Sequence, residues 1–212
     1  MKRVLVIIAI IGLASTAAFA DDLGVNFSAP GYINGPSQWS LGYEFIANGS
    51  ISITGLGAYD DGSSSGGEAQ QVGLWDADGN LLASTFVSSS DPLTDDFWRF
   101  NAITSVTLVS GDTYYVASQG GWDYTYYTSG FEVDPDITYV QDAYGEVGTQ
   151  SNSPLVFPSE TENVTASDGG AFFGGNIELG TMTPTPEPGS LLLLGSGLAT
   201  MLAAMRRKFA RG

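Results

Sequence analysis

Carboxylates recur in short, oxygen-rich stretches of this chain: Asp60-Asp61, Asp76-x-Asp78 with Asn80, Asp95-Asp96 and Asp134-x-Asp136. Oxygen ligands at such close spacing are the hard donors that calcium takes. Asp76, Asp78 and Asn80 form the best candidate set. They do not make an EF-hand, because Gly79 falls one step early and the loop lacks a closing Glu. Asp, Asn and Gly also favour tight turns, since they tolerate left-handed backbone. The turn reading is the stronger one, and Asp76 to Asn80 is expected to connect a hairpin. Calcium is the one cofactor the sequence leaves open.

Two carboxylates about 5–5.5 Å or about 6.5–9.5 Å apart can hydrolyse a glycosidic bond. With 23 acids in the chain, some pair will meet that condition by chance, and nothing singles one out. Gly62-Ser63-Ser64-Ser65-Gly66 spells a nucleophile elbow, but an elbow needs a strand, a helix and a histidine base. The chain has no His and no Cys, which removes histidine bases, His-ligated metals, thiolate zinc sites, cysteine nucleophiles and disulfides. The serine string is therefore expected to be a loop. Gly55-x-Gly57 lacks the third glycine of a dinucleotide site and reads as a turn. The expectation is a protein that is not an enzyme, with a glycan hydrolase ranked last.

A different chemistry is suggested by Trp122, Tyr124 and Tyr126, which alternate within the Gly-flanked segment from Gly120 to Gly130. On a strand they would share one face, and exposed rings could stack on sugars. Core packing explains the same pattern and is favoured, because large aromatics dominate the interiors of β-sandwiches.

Charge narrows the partners. Of seven basic residues, Lys2 and Arg3 stand at the start and Arg206, Arg207, Lys208 and Arg211 at the end. Between Asp21 and Glu187 a single cation, Arg99, faces all 23 acids, a net charge of −22. Such a surface repels nucleic acid and anionic headgroups.

The elements that must position these residues are short. Ser50 to Thr54 alternates as a half-buried strand does. Val72, Leu74 and Trp75 form a candidate strand with Leu81 to Val87 as its partner. Further strands are expected at Phe97 to Phe100, Ser105 to Val109, Thr113 to Ser118 after a turn at Ser110-Gly111-Asp112, Ile137 to Gln141, and Ala171 to Leu179. Roughly eight to ten such strands, with no long helical period, predict an all-β antiparallel β-sandwich.

The two ends read as targeting segments. Lys2-Arg3, the apolar stretch Val4 to Leu13, and Ala18-Phe19-Ala20 fit a secretory signal peptide, with cleavage by signal peptidase at the Ala18–Ala20 site. Near the other end stand Pro186-Glu187-Pro188-Gly189, an apolar run of 15 residues from Leu191 to Met205, and Arg206-Arg207-Lys208. The run is shorter than the ~20 residues that span a bilayer untilted. Local thinning would let it cross, and the basic cluster would stay cytoplasmic. The expected layout is a signal peptide at 1–20, an exported domain at 21–180, and a linker and tail at 181–212, with an apolar helix at 190–205 and a basic end at 206–211.

This tail resembles the PEP-CTERM sorting signal of exopolysaccharide-producing Gram-negative bacteria. Pro186-Glu187-Pro188 matches the motif, Leu191 to Met205 the membrane stretch, and Arg206 to Lys208 the stop-transfer end. The resemblance implies recognition by an exosortase, a precursor held transiently in the inner membrane, and delivery to the cell surface or the extracellular biofilm matrix. A second resemblance lies in the exported region. Gly42-Tyr43-x-Phe45, Leu74-Trp75-Asp76 with Gly79 and Leu82-Ala83, Phe97-Trp98-Arg99-Phe100, and Gly111-x-Thr113-Tyr114-x-Val116 are similar, over about 80 residues, to an uncharacterised β-sandwich domain of bacterial surface proteins. That likeness implies a jelly-roll-like or immunoglobulin-like fold and carries no activity. Three functions follow in order of preference: a non-enzymatic surface or matrix protein associated with exopolysaccharide, a carbohydrate-binding module assisted by calcium, and a glycan hydrolase.

Overall fold

The structure, a computed structural model, describes residues 22–34, 39–60, 69–119, 124–147, 155–162 and 172–180. The chain divides into a unit Met1–Gly180 and a unit Thr181–Gly212, and every described residue belongs to the first. The signal and tail helices and the Gly62–Gly66 string lie outside the described residues.

In chain order the strands are β1 (Asp22–Leu23), β2 (Val25–Asn34), β3 (Trp39–Ala47), β4 (Ile51–Tyr59), β5 (Gln70–Asp76), β6 (Leu81–Val87), β7 (Leu93–Thr94), β8 (Trp98–Leu108), β9 (Thr113–Gln119), β10 (Tyr124–Val133), β11 (Ile137–Glu146), β12 (Glu160–Glu162) and β13 (Gly175–Gly180). A five-stranded sheet runs β1-β13-β4-β8-β7 and a six-stranded sheet runs β12-β11-β3-β9-β5-β6, with β10 and β2 pairing as a separate ribbon. Every pairing is antiparallel. This is the all-β class that the turn-rich strand pattern predicts.

The two large sheets face each other, β13 lying over β3 and β9 and β4 over β5 and β6. Alternate residues point into the gap, as the pleat requires. Tyr43 and Phe45 from β3, Ile53 and Leu56 from β4, Val72 and Leu74 from β5, Val116 from β9 and Ile177 from β13 are all fully buried there. Each large apolar side chain removed from water contributes about 1.5–3 kcal/mol. The ribbon adds a further aromatic layer. Phe27 of β2 stacks on Phe97 at 5.3 Å and tilts against Tyr59, Trp98 and Phe173. Phe131 of β10 stacks on Phe173 at 5.0 Å and meets Tyr139 edge-on.

Two expectations are corrected. Gly55-x-Gly57 is not a turn but the middle of β4. These glycines are required by close neighbours: a Cβ at Gly57 would lie 2.5 Å from the Phe100 ring, and one at Gly55 would strike the Glu178 side chain. A register shift between Ile53 and Gly55 places a bulge beside them. Phe97–Phe100 and Ser105–Val109 are not separate strands either. They merge into β8, whose exposed centre at Asn101, Ala102, Thr104 and Ser105 looks like a loop in sequence.

Arg99, the lone cation between Asp21 and Glu187, fastens this edge. Its Nε donates to Asp60 at 2.5 Å and its Nη1 to the Asp91 carbonyl at 2.6 Å, tying β8 to the end of β4 and to the 88–91 turn. The two side chains are 17% and 11% exposed. Removing one partner of so enclosed a pair leaves a charge without its counter-ion. Arg99→Met is expected to lower unfolding free energy by about 2 kcal/mol. In urea titrations the double variant Asp60→Asn/Arg99→Met is expected to lose less than Arg99→Met alone.

Candidate functional site

Asp76, Asp78 and Asn80, the calcium candidates, lie on the connection between β5 and β6. Asp76 Oδ1 accepts from the backbone N–H groups of Asp78 (3.0 Å) and Asn80 (2.9 Å), and its Oδ2 accepts from Asn80 Nδ2 at 2.9 Å. Gly79 takes a φ of 80°, the left-handed conformation the turn needs. Hydrogen bonding, first from the Asn80 side chain, lowers the Asp76 carboxyl below its ordinary value. The hairpin reading of this segment thus holds, and both Asp76 oxygens already bind within the turn.

The other acidic loops behave similarly. Asp60 is paired with Arg99. Asp95 and Asp96 have positive φ of 51° and 66°, and Asp95 accepts from Asn26 Nδ2 at 3.1 Å. Asp134 Oδ1 caps the Asp136 N–H at 2.8 Å, while burial raises the Asp134 carboxyl above its usual value. Among the described residues no group of three or more acids could hold a metal ion.

The aromatic candidates are only partly brought together. Trp122 lies outside the described residues. Tyr124 and Tyr126 lie on β10, but pairing with β2 shifts register between Thr125 and Tyr127, so regular alternation is interrupted at Tyr126. Tyr124 instead joins rings from distant strands. It tilts on Phe172 at 6.5 Å, Phe172 meets Tyr144 at 6.1 Å, and Tyr144 meets Trp39 edge-on at 5.7 Å. Trp39 is 37% exposed and the other three are half-buried. Desolvation, followed by the nearby Glu160 and Glu162 charges, raises the Tyr144 hydroxyl above the usual phenol value. The result is a partly open aromatic cluster, bordered by acids, built on β3, β10, β11 and the approach to β13.

Two polar residues in the core escape sequence reasoning. Asn176 on β13 is fully buried. Its Oδ1 accepts from the Tyr43 hydroxyl (2.9 Å) and from the N–H groups of Val25 (3.2 Å) and Ile177 (2.9 Å), and its Nδ2 donates to the Val25 carbonyl at 2.8 Å. Asp142 on β11 is also fully buried. It accepts from the Tyr139 hydroxyl through Oδ1 and from Phe172 N–H at 3.0 Å through Oδ2. Burial pushes the Asp142 carboxyl up to about 7 despite those bonds. No motif marks either residue, because their partners are set by tertiary pairing.

The quoted family positions in the exported region now have physical roles. Tyr43, Phe45, Leu74, Trp75, Trp98, Phe100, Tyr114 and Val116 are buried, and Gly79 and Gly111 occupy positive-φ turns. They specify a fold. Comparison with known families agrees: residues 28–165 match the domain of unknown function DUF4082. That match extends past the stretch ending at Val116 and takes in β10 to β12. Residues 184–208 match the PEP-CTERM protein-sorting motif, around Pro186, Glu187, Pro188, Arg206, Arg207 and Lys208. These tail residues, like the Ala18–Ala20 site, lie outside the described residues. No curated protein and no solved structure is a match. The motif implies exosortase recognition during export and a membrane-anchored precursor in a Gram-negative bacterium. With about two-thirds of its length matched, the chain belongs to the DUF4082 family and carries a PEP-CTERM sorting tail.

Proposed function

We propose that this exosortase-sorted protein is a non-enzymatic component of the cell surface or extracellular matrix, associated with exopolysaccharide in a biofilm. The observation that carries the proposal is the sorting motif at 184–208, which begins four residues after the last described strand of an acidic β-domain. The non-enzymatic part is supported by the use of Asp60, Asp76, Asp134 and Asp142 in ion pairs, turns and core hydrogen bonds.

The test is the intact mass of the protein recovered from its host, beside a Glu187→Ala strain. The expected mass lacks the first 20 residues and a fragment beginning near Pro186–Pro188, and Glu187→Ala abolishes the second loss. A mass that keeps Leu191 to Gly212 would make the tail an ordinary anchor and remove the main support for a matrix role.

The second reading is a carbohydrate-binding module, assisted by calcium. It is favoured by the partly open cluster of Trp39, Tyr144, Phe172 and Tyr124, since half-exposed rings offer an apolar face beside polar groups.

A further inference from the structure

The outward face of the six-stranded sheet carries a row that sequence does not reveal. Gln141 of β11 lies opposite Glu44 of β3, Glu44 opposite Tyr115 of β9, and Tyr115 opposite Trp75 of β5. Their neighbours Tyr43, Phe45, Tyr114 and Val116 point into the core, so Glu44 and Tyr115 point away from it. Gln141, Glu44 and Tyr115 are half-buried. Gln141 Nε2 donates to Glu44 Oε2 at 2.6 Å, and burial together with the neighbouring Glu44 charge raises the Tyr115 hydroxyl above the usual phenol value. Phe157, from the 155–158 segment that crosses this face, meets Tyr115 edge-on at 5.1 Å and Trp75 at 6.1 Å.

We propose that this row is a binding subsite for a linear, neutral polysaccharide laid across the strands. The proposal rests on the glycan-binding reading and places the chain on a surface other than the Trp39 cluster. Strands repeat every ~4.8 Å, so the two spacings from Gln141 to Tyr115 cover about 10 Å, room for roughly two sugar rings, and Trp75 beyond them is buried beneath Phe157. The Glu44 carboxylate is held in place by Gln141 Nε2 and keeps further acceptor capacity for sugar hydroxyls. The Gln141 amide oxygen accepts in the same line. The Tyr115 and Phe157 rings supply the apolar surface against which the C–H side of a sugar packs. Charge selects the class: a domain with a net −22 between Asp21 and Glu187 repels an anionic polymer and leaves a neutral one unaffected.

The test is native-gel retardation of the intact protein purified from its host, at low salt, with hydroxyethylcellulose, galactomannan, arabinoxylan or alginate in the gel. Retardation is expected with at least one neutral polymer and not with alginate. Gln141→Ala and Glu44→Gln are each expected to weaken it about tenfold, the loss of one hydrogen-bonding group. Thr107→Ala, on the exposed side of β8, leaves it unchanged. Retardation that survives both row variants but is lost in Trp39→Ala overturns the row and moves binding to the ring cluster. Preference for alginate overturns the neutral class. Absence of retardation of the parent protein in every gel overturns the row and the glycan-binding reading together.

Discussion

Replacing Asn176 with Ala is expected to lower unfolding free energy by about 4 kcal/mol. For a domain of this size that corresponds to a fall in melting temperature of roughly 8–16 °C. The size follows from how many groups one side chain satisfies. Without its amide, the Val25 N–H and C=O and the Tyr43 hydroxyl lose their Asn176 partner inside the core. Each buried polar group left unsatisfied costs about 1–3 kcal/mol. Tyr43→Phe removes a single donor, while Asn176 Oδ1 keeps two backbone N–H partners, so its cost is expected near 1 kcal/mol. If calorimetry gave Asn176→Ala the same small shift as Tyr43→Phe, water would have to be replacing the amide, and Asn176 would not be holding β13 to the start of β2.

Asp142 gives the second large effect, and its sign runs against common experience with carboxylates. Its folded-state pKa of about 7 lies above the ordinary 3.8 because burial penalises the charged form. The native state therefore holds the proton more tightly than the unfolded chain does. The stabilising contribution is fully present below about pH 4 and is lost as pH rises through about 7. Over that window the three-unit shift corresponds to about 4 kcal/mol of lost stability. Asp134, also raised by burial, acts in the same direction. Glu162 opposite Asp142 on β12 adds repulsion, and the neighbouring Tyr139 and Tyr43 phenols, both raised by burial, stay neutral across this range. Urea unfolding at pH 5 and pH 8 measures the slope. Asp142→Asn is expected to abolish most of it and to match or exceed the parent at pH 8. An unchanged slope in that variant would place the proton elsewhere.

What could be read from sequence was local. The β5–β6 hairpin was legible because Asp76, Gly79 and Asn80 carry their own turn chemistry, and β4 because Ile51 and Ile53 alternate with Ser52 and Thr54. The tail was legible because motif, apolar run and basic end are consecutive. Misreadings arose where a distant partner outweighs the local signal. Gly55 and Gly57 look like turn residues until Glu178 and the Phe100 ring are brought against them. The exposed middle of β8 looks like a loop because the residues between Ala102 and Val106 bulge out of the ladder with β4. Asn176 and Asp142 look like surface residues, since nothing nearby in sequence shows that Tyr43 or Phe172 will reach them. The Gln141–Glu44–Tyr115 row depends on strand register and a bulge between Tyr139 and Gln141.

The strand order also fixes a sequence of events for an exported chain. β13 is the last strand among the described residues, yet it lies inside the five-stranded sheet between β4 and β1, and Asp22 pairs with Leu179. A sheet missing an interior strand cannot close, so the core stays open until Gly180 has crossed the membrane. The sorting motif follows within four residues, at 184. The strand that completes the sheet and the motif that addresses the tail are therefore separated by only a few residues of chain.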